Sequence, residues 1–205
     1  LKLKPRKCEI CMQSVVYLGF KIDGTGVSPM SSTLDLIQKW ERPDSLKALR
    51  GFLGFVNRYF SFYPHLAVVS APLARVTGKR VLTWNDELET SFNATKLALK
   101  RINTLSLPTA HDMFILETDA SGYGIGAVLL QAQGEKELPV AYFSKALNDA
   151  QKNYEAFKLE MYALVKAVQY FQLYLAGAHF IVRTDNAILR CWATMNVPAG
   201  SILAR

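Results

Sequence analysis

No run in these 205 residues approaches the ~18 consecutive apolar residues of a membrane span. The basic start at residues 1–7 leads into no signal-peptide core, so no membrane association is expected. Half of the residues are nevertheless apolar, enough to bury a real core in one or two domains. Cysteine is scarce: Cys8, Cys11 and Cys191 are an odd number in a mid-sized chain, which argues against a disulfide framework. Cys8-Glu9-Ile10-Cys11 is a lone C-x-x-C, and His65, His111 and His179 show no ligand spacing. Buried strand cysteines are therefore expected, not a zinc or redox site. No phosphate-cradling G-x-x-x-x-G-K-[ST] is present, and Thr77-Gly78-Lys79-Arg80 is simply a basic loop. Gly122, Gly124 and Gly126 have the wrong spacing for a dinucleotide fingerprint, which leaves backbone crowding as their reason. Asp23-Gly24-Thr25 reverses the order an aspartic protease needs.

What is present is unevenly distributed. The net charge is +7, and residues 1–107 hold 16 Lys and Arg against 8 Asp and Glu, whereas residues 108–205 hold 8 against 9. A basic front half beside an acid-bearing back half suits a polyanion gripped by one part and processed by the other, against the plainer reading of a basic soluble surface.

Residues 8–28 read as a β-hairpin, with strands over 8–12 and 15–22 and turn chemistry in Asp23-Gly24-Thr25-Gly26. From Ser31 the period becomes helical. Leu34, Ile37 and Trp40 mark a short helix ended by Pro43, and Asp44 or Ser45 caps a second. In that helix Leu46, Leu49, Leu53, Val56 and Phe60 recur at three–four spacing until Tyr63-Pro64. Phe52, Phe55, Tyr59 and Phe62 widen the stripe, and their place beside Arg50 and Arg58 also suits a nucleic-acid backbone. Ala71-Pro72-Leu73 begins a short amphipathic turn. Asn85 caps a helix lined by Leu88, Phe92, Leu99 and Ile102. Leu107-Pro108 marks a domain boundary. Beyond it, strands are expected over residues 113–118, 124–131 and 138–143, the last two joined through Gln133-Gly134-Glu135-Lys136. Tyr154, Phe157, Met161, Leu164, Val168, Phe171 and Leu175 then mark one long helix closed by Ala176-Gly177. A fourth strand over residues 179–184 and a helix over 187–195 complete the pattern.

Three acids occupy chemically suggestive points in this order. Asp119 and Asp185 each close a short apolar strand, and Glu160 sits at the margin of the long helix between them. Each alone has an ordinary explanation, as turn residue, N-cap or solvated helix charge. Together, two strand ends and a helix packed across them can converge on one small volume. Such a cluster repels itself unless protons or cations fill it. Magnesium, a hard cation that takes oxygen ligands, is the natural occupant, and two such ions cut a phosphodiester in line.

The order strand, hairpin strand, long helix, strand, with Asp, Glu and Asp at those points, resembles ribonuclease H. The wording is narrower. Phe114-Ile115-Leu116-Glu117-Thr118-Asp119-Ala120-Ser121, Gly124-Ile125-Gly126-Ala127-Val128-Leu129 and Pro139-Val140-Ala141-Tyr142-Phe143-Ser144 are similar to the ribonuclease H segment of gypsy-type long-terminal-repeat retrotransposon Pol proteins. Asn153-Tyr154, Leu159-Glu160 and Arg183-Thr184-Asp185 fit the same pattern. Upstream, Tyr17-Leu18-Gly19-Phe20, Gly26-Val27-Ser28-Pro29 and Leu49-Arg50-Gly51-Phe52-Leu53-Gly54 resemble the end of a reverse-transcriptase palm and its thumb. Ala71-Pro72-Leu73 and Trp84 with Phe92 resemble the connecting segment.

The resemblance implies an α/β protein in three parts. Residues 1–30 would be the palm's last hairpin and 31–107 a helical thumb and connection. Residues 108–205 would be a ribonuclease H-like mixed sheet flanked by helices, lacking its last helix. It implies Asp119, Glu160 and Asp185 as catalytic metal ligands for two magnesium ions, with manganese as the alternative. The reaction would be hydrolysis of the RNA strand of an RNA–DNA hybrid. Ser121 and Asn186 would read 2′-hydroxyls. Tyr17, Leu18, Gly19 and Phe20 would grip a primer strand, and Arg50 and Arg58 would follow the duplex backbone. The implied partners are an RNA–DNA hybrid and a primer–template duplex, with other Pol segments or self-association besides. The implied location is intracellular, in cytoplasm, virus-like particle or nucleus. The pattern departs from the family in two places. No aromatic-x-Asp-Asp turn exists, so no polymerase site is expected, and the later Asn-x-Ala-Asp stretch bearing a fourth carboxylate does not occur before Arg205. The alternative reading is a catalytically inactive, retroelement-derived nucleic-acid-binding or protein-interaction module.

Overall fold

The computed structural model describes residues 11–184 and Asn186. The chain begins with three short antiparallel strands, β1 (Ser14–Tyr17), β2 (Phe20–Asp23) and β3 (Gly26–Pro29), paired in that order. The strand expected over residues 15–22 is therefore two strands. Leu18 and Gly19 break it, with φ of 51° and 85°, because a two-residue hairpin turn with both centres left-handed matches the twist of its strands. The second turn behaves as its chemistry dictates, with Asp23 Oδ1 accepting from the Thr25 amide at 2.9 Å. Cys11 precedes β1 and is exposed, against the expectation of a buried strand cysteine; Cys8 and Cys191 lie outside the described residues.

Helices α1 (Ser31–Gln38), α2 (Leu46–Asn57), α3 (Leu66–Val69), α4 (Ala71–Val76) and α5 (Asp86–Lys100) follow. Ser45 and Asn85 cap α2 and α5, their side-chain oxygens accepting from Ala48 and Leu88 amides at 3.2 and 3.0 Å. Helix α2 ends at Asn57, before Tyr63-Pro64, and a 3-10 turn (Phe60–Phe62) takes over. Ile37, Leu49, Phe52, Val56, Leu66, Leu73, Phe92 and Leu99 form one buried core. The aromatic set that widened the α2 stripe belongs to it, since Phe52 packs on Phe92 at 4.8 Å and Tyr59 is fully buried.

The second sheet has the order β6-β5-β4-β7, built from β4 (Phe114–Ala120), β5 (Gly124–Gln133), β6 (Lys136–Ala146) and β7 (Phe180–Arg183). Its pairings are antiparallel except β4 with β7, which is parallel. On one face lies α7 (Ala156–Tyr170), introduced by α6 (Asp149–Lys152) and continued by α8 (Gln172–Leu175). The long helix expected here is thus interrupted at Phe171, and its buried residues are Leu159, Met161, Ala163, Ala167 and Phe171. Two alanines facing the sheet let the helix approach closely, which displaces the larger Phe157, Leu164 and Val168 to the margin of the buried face. The opposite face receives the 60–62 turn and α3, where the Ala67 amide donates to Ser144 Oγ at 3.0 Å.

The segment between helical part and sheet is held at several points. Val27 and Leu105 exchange backbone hydrogen bonds of 2.8 and 2.9 Å. Gln131, fully buried, accepts from the Thr109 amide and donates to the carbonyls of Thr109 and Asp112. No described helix is long and apolar enough to cross a membrane.

Candidate functional site

Alternation along β4 decides what Asp119 meets. Leu116 and Ala120 pack beneath α7, so Glu117 and Asp119 turn to the other face. There they line an open cavity of about 200 Å³ with Pro64, His65, Val128 and Tyr142. The two carboxylates differ in one decisive respect. Glu117 is held by the Arg183 guanidinium, whereas the only ionic neighbour of Asp119 among the described residues is His65, its Nε2 lying 3.9 Å from Oδ2. The Asp119 side chain is 72% exposed. It is a carboxylate left open.

Glu160 is half-buried on α7, which packs on β4 and β5. The helix and strand that carry Glu160 and Asp119 are thereby in contact, the two acids starting from different faces of β4. Asp185 lies outside the described residues. What is described is the register before it: Glu117 stands opposite Arg183 in the parallel β4–β7 pair, and Thr118-Asp119 and Thr184-Asp185 follow those two residues in sequence. Among the described residues no three His, Cys, Asp or Glu side chains group as a metal site. Thr118, directed toward α7, buries its Oγ1 without a hydrogen-bond partner among the described residues.

The other residues assigned to nucleic acid have definite local roles. Tyr17 and Leu18 are 62% and 66% exposed at the hairpin tip. Gly19 supplies the turn. Phe20 stacks on Phe62 with ring centroids 5.0 Å apart, so its ring serves the helical core. Arg58 Nη1 donates to the Leu18 carbonyl at 3.2 Å and braces that tip, and Arg50 Nη2 donates to the Thr77 carbonyl at 2.7 Å. Both guanidiniums are exposed and keep their charge for a ligand. Ser121 closes the β4–β5 turn, its hydroxyl donating to the Gly124 carbonyl at 3.0 Å. The Asn186 amide donates to Thr184 Oγ1 at 3.1 Å.

Sequence reasoning missed His65 and the Arg183 pairings. His65 is 54 positions from Asp119 and gave no spacing signal. The second did leave a trace: Leu116-Glu117-Thr118-Asp119 and Val182-Arg183-Thr184-Asp185 put opposite charges at matching places in two strands.

Residues 84–182 match the family model described as the RNase H-like domain found in reverse transcriptase. The chain is 34% identical over 203 residues to the retrovirus-related Pol polyprotein from transposon 412 of Drosophila melanogaster, covering 98% of this chain and 16% of that protein. It is 32% identical over 190 residues to the transposon Tf2-3 polyprotein of Schizosaccharomyces pombe, covering 91% of this chain and 14% of the relative. The chain thus spans under a fifth of the length of these curated relatives. In fold it is similar to the foamy viral protease-reverse transcriptase dRH solved with double-stranded DNA, with a TM-score of 0.79, 21% identity, and 90% of this chain and 33% of that chain covered. The foamy viral protease-reverse transcriptase solved with an RNA/DNA hybrid gives a TM-score of 0.76 at 20% identity, covering 92% of this chain and 26% of that one.

Proposed function

Because residues 84–182 match the RNase H-like domain found in reverse transcriptase, in a chain similar along nearly all its length to retrotransposon Pol polyproteins, we propose that it hydrolyses the RNA strand of RNA–DNA hybrids within a gypsy-type long-terminal-repeat Pol protein inside the cell. The observation that carries this reading is the parallel β4–β7 pair. Arg183 neutralises Glu117, and two residues further along β4 Asp119 is left open on the cavity. Of the two carboxylates on this face, Asp119 is the one exposed and available to a ligand, with only the His65 ring 3.9 Å away among the described residues.

Asp119, Glu160 and Asp185 would hold magnesium, and their donor chemistry fits it, since all three offer the hard oxygens that ion prefers. When bound, the metal supplies positive charge against the attacking and leaving oxygens of an in-line displacement. The chain's own residues do the rest. Tyr17 and Leu18 present an exposed hairpin tip to a duplex, and Arg50 and Arg58, fixed by backbone carbonyls, offer charge to its phosphates. Tyr142 and His65 wall the cavity beside Asp119, limiting how a strand can enter.

Incubation with a labelled RNA–DNA hybrid and magnesium tests the proposal. The expected result is cleavage of the RNA strand, lost in Asp119→Asn with hybrid binding retained. Cleavage surviving in Asp119→Asn overturns the site, and hybrid binding without cleavage by the unaltered protein makes it a binding module instead.

A further inference from the structure

Outside this cavity, the described surface holds a second unusual grouping, on the α7 side of the sheet. Tyr154 and Tyr162 meet edge-on, their ring centroids 6.0 Å apart and their planes at 88°. Around them stand three ammonium groups. Lys158 lies 4.1 Å from the Tyr154 ring centroid, and Lys145 and Lys166 lie 5.6 and 5.9 Å from that of Tyr162. Lys145 also donates to the Tyr162 hydroxyl at 3.0 Å, beside Gln151, which donates to the same oxygen at 2.8 Å. The rings orient these cations without neutralising them, because a π face attracts a cation but carries no net charge. None of the three makes an ion pair among the described residues, whereas nearby Lys152 is matched by Asp149.

The position adds to the composition. Asp119 stands opposite Gly126, and Gly126 opposite Ser144. Lys145 follows Ser144, so its side chain leaves the α7 face of the sheet, opposite to the face of Asp119 and about two strand spacings, roughly 10 Å, along it. The Leu147 amide donates to the Tyr123 carbonyl at 3.0 Å, joining the end of β6 to the turn that follows Asp119. Three cations gathered at two neighbouring rings, none in an ion pair among the described residues, present positive charge that a polyanion can share.

We propose that Lys145, Lys158 and Lys166, arranged by Tyr154 and Tyr162, form a track for the phosphodiester backbone of a nucleic-acid strand on the α7 face of the sheet. The track deepens the hybrid-nuclease reading and rests on it for the identity of the strand. Its phosphates are recognised by charge alone, so the track is indifferent to base sequence.

The test measures binding of the whole protein to a labelled RNA–DNA hybrid over a range of salt, with chelator present so that nothing is cut. Replacing the three lysines by glutamine is expected to weaken binding about tenfold or more at low salt. It should also flatten the slope of log K against log salt by about 2 to 3, since each phosphate contact contributes ~0.9. Replacing them by arginine should restore the slope. Asp119→Asn, which leaves the lysines intact, should keep it. An unchanged slope in the glutamine variant, with circular dichroism like the parent, overturns the track, as does a parent protein that binds no hybrid. If the slope flattens as expected while the parent never cleaves hybrid with magnesium, the track stands and the nuclease reading falls.

Discussion

Arg183 and Glu137 form a two-bond fork across the second sheet, Nη1 to Oε2 at 2.9 Å and Nη2 to Oε1 at 2.7 Å, although they sit on β7 and β6, its two outermost described strands. The same guanidinium holds Glu117 on β4. One side chain therefore ties three strands together just before the two Thr-Asp steps.

Loss of that tie should be felt twice. Arg183 holds the Glu137 carboxyl below the usual carboxylate range by hydrogen bonding. A depressed carboxyl contributes stability that is complete above its unfolded value, near 4.5, and is lost as pH falls through the folded one. Arg183→Gln should therefore lower the melting temperature at neutral pH and shrink the further drop on acidification. It should also reduce hybrid cleavage about ten- to a hundredfold, because small displacements of catalytic groups cost that much. Thermal unfolding at neutral and acid pH, with cleavage rates, checks both parts. A variant with the parent's acid sensitivity would remove Arg183 from this role.

The His65 ring lies against the backbone of Gly126. A Cβ at Gly126 would stand 2.9 Å from His65 Cε1, which no unstrained pair tolerates. His65 is itself held at φ 60°, ψ 12°, an uncommon conformation for a residue with a side chain. Gly126→Ala should thus cost about 1–3 kcal/mol by overpacking, and His65→Ala in the same chain should recover most of it. Denaturant titration of the single and double variants measures the coupling. Equal losses in Gly126→Ala with and without His65 would show that the ring is not the obstacle.

Gly26 makes a different demand. Its φ is 135°, and an added Cβ would fall 2.1 Å from the Leu105 carbonyl oxygen, inside the bridge between Val27 and Leu105. Gly26→Ala should break that bridge and cost on the order of 2–4 kcal/mol through clash and backbone strain. The first sheet should lose amide-exchange protection before the second, so hydrogen exchange at Val27 and Leu105 is the direct measurement. Protection retained at both amides would mean that the bridge absorbs the new methyl.

The sequence displayed what is local and left hidden what depends on distant partners. Asn85, and Ser45 as one of two candidates with Asp44, were readable as caps because capping is decided within three residues. The four strands of the second sheet were readable from apolar runs bounded by turn residues. The break at Leu18-Gly19 was not, since leucine gives no hint of a positive φ and the apolar run continues through it. The buried face of the helix was read in part: Met161, Phe171 and Leu175 are buried as expected, whereas Phe157, Leu164 and Val168 are only half-buried. Ala163 and Ala167 face the sheet because close approach favours small side chains. Among the acids, sequence singled out Asp119 from its setting at a strand end. That Glu117 is neutralised and Asp119 is not became visible only when β7 was paired with β4.

Two buried hydroxyls lack hydrogen-bond partners among the described residues, Thr118 Oγ1 and Tyr59 OH, and they lie in different parts of the chain. Tyr59 sits in the helical core, where burial pushes its phenol pKa up. An unmet buried hydroxyl costs about 1–3 kcal/mol relative to an apolar group of the same shape. Tyr59→Phe and Thr118→Val should therefore each raise stability, by about 1 kcal/mol. They should part company in function. Thr118 adjoins Asp119 and points toward the helix that carries Glu160, so its hydroxyl is kept at a cost in stability where a carboxylate site would use it. Thr118→Val is expected to be more stable and slower in hybrid cleavage, and Tyr59→Phe more stable and unchanged. Unfolding midpoints and single-turnover cleavage of both variants decide the matter. A faster or unaltered Thr118→Val would make the orphan hydroxyl a packing residue with no part in the chemistry.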